Sequence, residues 1–123
     1  GALGGRLDHT LANISLLEKG LRAGVRTEII NDRERAVLIA GDYNIPDARV
    51  GDRISLLAVS DTATLRTKGL KYALNNEPLN RWSTRGISNE VSTIPVSLDV
   101  SGGMVLVIHA RREAAGGKDD VPG

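Results

Sequence analysis

Cysteine is absent from the 123 residues, which excludes disulfides and thiolate metal sites. Such a chain suits a reducing compartment, and a cytoplasmic protein is the expectation. Phenylalanine is absent too. Tyr43, Tyr72 and Trp82 are the only aromatic residues, so a core has to be built from Leu, Ile, Val and Ala. His9 and His109 stand near opposite ends of the chain, which leaves a dedicated zinc or copper centre without ligands. No sign of charge dominates: 16 Lys plus Arg face 15 Asp plus Glu, for a formal charge of +1. That balance offers no electrostatic footing for nucleic acid or an anionic membrane surface. The longest apolar runs, 36–40 and 104–108, fall far short of the roughly 20 residues that a membrane span needs. No basic-then-apolar leader opens the chain, and neither does Met; it starts Gly-Ala-Leu-Gly-Gly, which reads as the interior of a longer polypeptide.

What is present falls into two patterns. Leu7, Leu11, Ile14, Leu17 and Leu21 recur every three or four residues, which predicts an amphipathic helix over about 9–23. Asp8 or Thr10 would cap its start and Gly24 would end it in the left-handed conformation, with Gly20 marking a close packing contact inside. After Gly24 the period changes to two. Strands are expected over 26–31, 34–40, 53–59, 62–67, 93–99 and 103–110, with turns or loops between them, including 41–51 around Pro46. Many short strands with turn signals predict a mainly β protein, an antiparallel β-sandwich of jelly-roll-like form. The loop, helix and strand of residues 1–31 read instead as half of an α/β unit. A domain junction is placed near residue 32, a sandwich over 32–112, and a disordered tail over 113–123, where Gly, Pro and charged residues accumulate.

Two stretches can carry chemistry. In Gly4-Gly5-Arg6-Leu7-Asp8-His9 the glycines would let backbone approach a ligand, and the helix start would offer free N–H groups to an anion. Arg6 could grip phosphate, and Asp8 could hold Mg²⁺ through hard carboxylate oxygen. The same residues also make an ordinary turn and helix cap. The second stretch, 69–90, holds Tyr72 and Trp82 among many Asn, Ser and Thr residues. It suits a flat polar heterocycle, stacked on an aromatic face and read along its edge. It equally suits a turn-rich connection in which an aromatic plugs the core.

The two stretches together resemble the thiamine pyrophosphokinase family. Residues 4–17 (Gly-Gly-Arg-Leu-Asp-His-Thr-Leu-Ala-Asn-Ile-Ser-Leu-Leu) are similar to a late motif of its catalytic domain. Residues 67–74 (Thr-Lys-Gly-Leu-Lys-Tyr-Ala-Leu) and 85–90 (Arg-Gly-Ile-Ser-Asn-Glu) are similar to its thiamine-binding β domain. The resemblance implies transfer of a diphosphate from ATP to thiamine, giving thiamine diphosphate and AMP, in a homodimer that uses Mg²⁺. It implies that residues 1–31 are the end of the α/β catalytic domain. Asp8 would be catalytic and a metal ligand, and Gly4, Gly5 and Arg6 would line the phosphates. Tyr72 and Trp82 would offer aromatic faces to thiamine, Leu79 an apolar wall, and Ser88 with Asn89 contacts to the pyrimidine edge. Gly86 stands where animal members carry Ser, so that contact is missing. The family's Gly-Asp-x-Asp-Ser and Lys-Asp-x-Thr-Asp motifs do not occur in these 123 residues, so the chain alone is expected to be inactive. The alternative is a non-catalytic β-sandwich module that binds a small ligand or a protein.

Overall fold

The computed structural model describes residues 2–81 and 83–112, with side chains from residue 12 onward. The 113–123 tail and Trp82 lie outside the described residues.

Helix α1 covers Ala2–Arg22. It starts a full turn or more before the expected position near residue 9, and it takes in Gly4, Gly5 and Asp8. The glycine loop and the caps at Asp8 or Thr10 are therefore corrected: these residues lie within the helix. The physical reason is that Leu3 extends the apolar stripe back by four residues, ahead of Leu7 and Leu11. The C-terminus closes as expected. Gly24 has φ +81°, its N–H donates to Leu21 O, and the Val25 N–H reaches back to Gly20 O. This pair of bonds satisfies the last carbonyls of the helix. Gly20 is a close contact as predicted, because a Cβ there would run into the Thr27 hydroxyl.

Nine strands follow: β1 (Glu28–Ile30), β2 (Glu34–Ile39), β3 (Asp42–Asn44), β4 (Arg53–Ala58), β5 (Thr62–Lys68), β6 (Glu77–Asn80), β7 (Asn89–Glu90), β8 (Ser97–Gly102) and β9 (Val105–Ala110). All pair antiparallel. One sheet runs β1-β2-β9-β4-β7 and the other β3-β8-β5-β6. The mainly β, two-sheet architecture is as the sequence predicts. Strand β1, expected in the α/β remnant, pairs with β2 (Glu28↔Val37, Ile30↔Arg35) at the edge of the five-stranded sheet. Strands β3, β6 and β7 replace parts of the expected loops. The strand expected from residue 93 begins only at Ser97, since Pro95 offers no N–H to a ladder.

Alternation decides what each face meets. Val37, Ile39, Ile54, Leu56, Val105 and Val107 point between the sheets, against Ala63, Leu65, Leu98 and Val100 from the other layer. The intervening residues of β2 and β9, Leu38 and Leu106, face outward and bury Leu17 of α1, with Ile14 and Leu21 packed around it. The helix thus covers the outer face of the larger sheet, where each buried Leu contributes about 1.5–3 kcal/mol. Among the described aromatic residues Tyr43 enters the core, under the Arg26 guanidinium at 4.9 Å. Burial pushes its hydroxyl pKa up, helped by Glu28 and opposed by Arg35 and Arg26.

Candidate functional site

The second chemical stretch is organised by β7. Gly69, with φ +92°, turns the chain out of β5, and its carbonyl accepts from the Ser92 and Thr93 N–H groups at 2.7 and 3.1 Å. Leu70 bridges to Val91. The Lys71 N–H donates to Glu90 O at 2.8 Å. Asn89 then brackets Tyr72: its Oδ1 accepts from the Tyr72 N–H at 3.0 Å, and its Nδ2 donates to Tyr72 O at 2.8 Å. Two residues later Leu74 returns to the core, its N–H donating to the buried Thr67 hydroxyl. The result is a short arch whose backbone is tied down on both sides while the Tyr72 side chain stands 62% exposed. The Lys71 ammonium lies 5.5 Å from the ring centroid.

On the strand side of the arch, Ser88 is exposed with φ +60°, and its N–H donates to the Ser55 hydroxyl at 3.0 Å. Just before it, the buried Gly86 accepts from the Leu56 N–H at 2.8 Å. A Cβ at residue 86 would strike the Leu56 carbonyl oxygen. The chain has no room there for a side chain. Gly86→Ser is expected to cost about 1–3 kcal/mol, as overpacking against backbone does, read as a fall in Tm of several degrees by calorimetry.

Ser88, Asn89 and Glu90 line one wall of an open groove of about 890 Å³ at the end of the five-stranded sheet. Its other walls are the 31–34 turn, Arg53 and the 110–112 segment. Beneath it lies a polar pair that the sequence does not announce. Asp52 and His109 are 2% and 6% exposed, with Asp52 Oδ2 2.8 Å from His109 Nε2. Asp52 also accepts from the N–H groups of Arg49 at 3.0 Å and Arg112 at 2.9 Å. Burial pushes the Asp52 carboxyl pKa up, but the bonds from Arg112, His109 and Arg49 outweigh it and hold the carboxyl below the ordinary range.

The structure thus brings Tyr72, Ser88 and Asn89 together around β7. It does not bring Leu79 to them. Leu79 is 2% exposed on β6, inside the sandwich opposite Ala63, because the strand's alternation turns it inward. Trp82 lies outside the described residues. Gly4, Gly5, Arg6 and Asp8 lie on the α1 backbone, their side chains outside the described part.

Among the described residues no three His, Asp or Glu side chains gather as a metal site. Asp42 and Asp99 lie side by side on the outer face of the smaller sheet. There a hydrogen bond and charge repulsion from Asp42 push the Asp99 carboxyl pKa up.

A family model described as thiamin pyrophosphokinase, vitamin B1 binding domain, matches residues 42–105. The chain belongs to the thiamin pyrophosphokinase family. The match to this family's vitamin-binding domain opens at the first residue of β3 and closes at the first residue of β9, enclosing the arch and β7. A thiamine pyrophosphokinase of Bacillus subtilis (strain 168) is 32% identical over 112 residues, covering 89% of this chain and 52% of the relative. A crystal structure of thiamine pyrophosphokinase from Bacillus subtilis superposes with a TM-score of 0.79 at 28% identity, over 87% of this chain and 51% of that one. Thiamin pyrophosphokinase from Geobacillus thermodenitrificans gives a TM-score of 0.74 at 31% identity, over 88% of this chain and 50% of its own. The chain thus spans about half the length of the family members it matches. No described helix is long and apolar enough to cross a membrane.

Proposed function

We propose that this chain is the thiamine-holding part of a cytoplasmic thiamine pyrophosphokinase, with residues 1–31 the end of its catalytic domain and residues 32–112 its vitamin-binding sandwich. The whole enzyme transfers a diphosphate from ATP to the hydroxyethyl group of thiamine, leaving AMP, and works as a homodimer. The observation that carries the reading is Tyr72. An aromatic side chain left 62% exposed on a backbone tied down at both ends is a platform for a ligand ring.

The chemistry agrees with that placement. In the transfer, the substrate hydroxyl oxygen bonds to the β-phosphorus of ATP, the bond to the α-phosphate oxygen breaks, and the hydroxyl proton leaves. Such reactions depend on positioning and charge stabilisation more than on covalent help from protein. Magnesium, when bound, neutralises the phosphates; Asp8 is one candidate ligand, and Arg6 with Gly4 and Gly5 lines the phosphate side. This chain's own contribution is to bind and orient thiamine. The Tyr72 ring offers a face to the cationic thiazolium, an attraction of about 0.5–2 kcal/mol. The exposed Ser88 hydroxyl, next in the chain to the Asn89 that holds Tyr72, would be available to the edge of the pyrimidine.

Titration calorimetry with thiamine tests this. Binding is expected. Tyr72→Ala should weaken it by about 2- to 30-fold, the affinity equivalent of that attraction. The Tm should move little, because the ring is exposed. Absence of thiamine binding at millimolar concentration, or an equal loss from Tyr72→Ala for an uncharged ring compound, would overturn the reading.

A further inference from the structure

We propose that Asn89 is a positioning residue that holds the Tyr72 ring in place, and that its own amide does not touch the ligand. The inference rests on the reading of Tyr72 as the platform for thiamine. Asn89 Oδ1 accepts two bonds, from the Tyr72 N–H at 3.0 Å and from the Glu90 N–H at 2.9 Å. Its Nδ2 donates to the Tyr72 carbonyl at 2.8 Å. Both lone pairs of the side-chain oxygen are thereby used. The residue is 3% exposed, so its amide is enclosed between β7 and the arch. A single side-chain amide thus grips both backbone polar groups of one residue, whose ring stands exposed. Only a group that carries an acceptor and a donor on the same carbon can do this. Aspartate at residue 89 would keep the two accepted bonds and set an oxygen against the Tyr72 carbonyl. Alanine would lose all three.

Releasing that grip frees the φ and ψ of Tyr72, an ordering term equivalent to about tenfold in affinity. The test is a double-mutant cycle read by thiamine binding. Asn89→Ala should weaken binding about tenfold when Tyr72 is present, and by less than about twofold in the Tyr72→Ala background, because its effect passes through the ring. Asn89→Asp should fall between wild type and Asn89→Ala. The affinity ratio between thiamine and an analogue whose pyrimidine amino group is replaced by a carbonyl oxygen should stay unchanged in both Asn89 variants. Equal losses from Asn89→Ala in the two Tyr72 backgrounds, or a changed analogue ratio, would assign Asn89 to direct contact and overturn the proposal. Should Asn89→Ala fail to fold, Asn89→Asp carries the same comparison. If wild-type chain binds no thiamine, the functional reading fails separately. The positioning claim is then read by amide hydrogen exchange, where faster exchange of the Tyr72 N–H in Asn89→Asp supports it and an unchanged rate refutes it.

Discussion

Replacing Asp52 with alanine should remove about 3–5 kcal/mol of folding stability, the usual penalty for deleting one partner of a buried polar pair. Three structural segments meet at this carboxylate. It holds the 45–52 loop through the Arg49 N–H, β9 through His109, and the segment beyond β9 through the Arg112 N–H. Its own backbone carbonyl accepts from the Val91 N–H just past β7. Alanine would leave the Arg49 and Arg112 N–H groups and His109 Nε2 without this acceptor in a closed space. The pH dependence gives a second readout. The Asp52 carboxyl pKa lies below its ordinary value of 3.8 in the folded chain, so the unfolded chain binds the proton more tightly. The stability contributed by the carboxylate is complete above the unfolded value and is lost as pH falls through the lowered folded one. Urea unfolding followed from neutral to acid pH should show wild type losing more stability below about pH 4 than Asp52→Asn loses. Parallel acid limbs in the two proteins would show that Asp52 is not the titrating group.

Gly69→Ala should be nearly as damaging, and through backbone rather than charge. Gly69 has φ +92°, where a side chain is strained by about 1–3 kcal/mol. An added Cβ would also lie 2.6 Å from Thr93 O and 2.8 Å from Pro95 O, an overpacking penalty of similar size. The position opens the arch, and its carbonyl ties the arch to Ser92 and Thr93. The substitution should therefore lower Tm by roughly 10 °C or more and loosen thiamine binding together with stability. Gly102→Ala is the matched control: nothing lies within 4 Å of a Cβ there, so its Tm should stay close to wild type. Equal effects at the two glycines would remove the steric explanation.

The strands that could be read from sequence are those with a buried face. Strands β2, β4 and β9 carry short apolar runs of Val, Leu, Ile and Ala, and β5 alternates the buried Ala63, Leu65 and Thr67 with outward-facing residues, and these patterns mark them. The missed strands are short and sit at or near sheet edges. Asp42–Asn44 and Asn89–Glu90 carry polar residues almost throughout, and Glu77–Asn80 contains Pro78, which argues against a strand except at an edge. Tyr72 and Ser88 could be singled out as candidates because their motif is local and ordered. The burial of Leu79 could not be read, because one step of alternation decides between surface and core, and β6 has too few residues to set its phase. Asp52 and His109 stand 57 residues apart and meet only when β9 is laid beside β4. The grip of Asn89 on Tyr72 depends on rotamer and register, neither of which a motif encodes.

The placement of β9 has a consequence for how the molecule comes into being. In chain order this strand follows the other eight described strands, yet β2 and β4 flank it on either side, each along its whole length. Neither flanking strand pairs with the other. While a ribosome still holds residues 105–110, the larger sheet exists only as two separate ladders, β1 with β2 and β4 with β7. Joining of the two ladders into one layer must therefore wait for β9 to emerge. Until then Val37, Ile39, Ile54 and Leu56 remain without the neighbour that joins them, an interval in which chaperones have their natural opportunity to act.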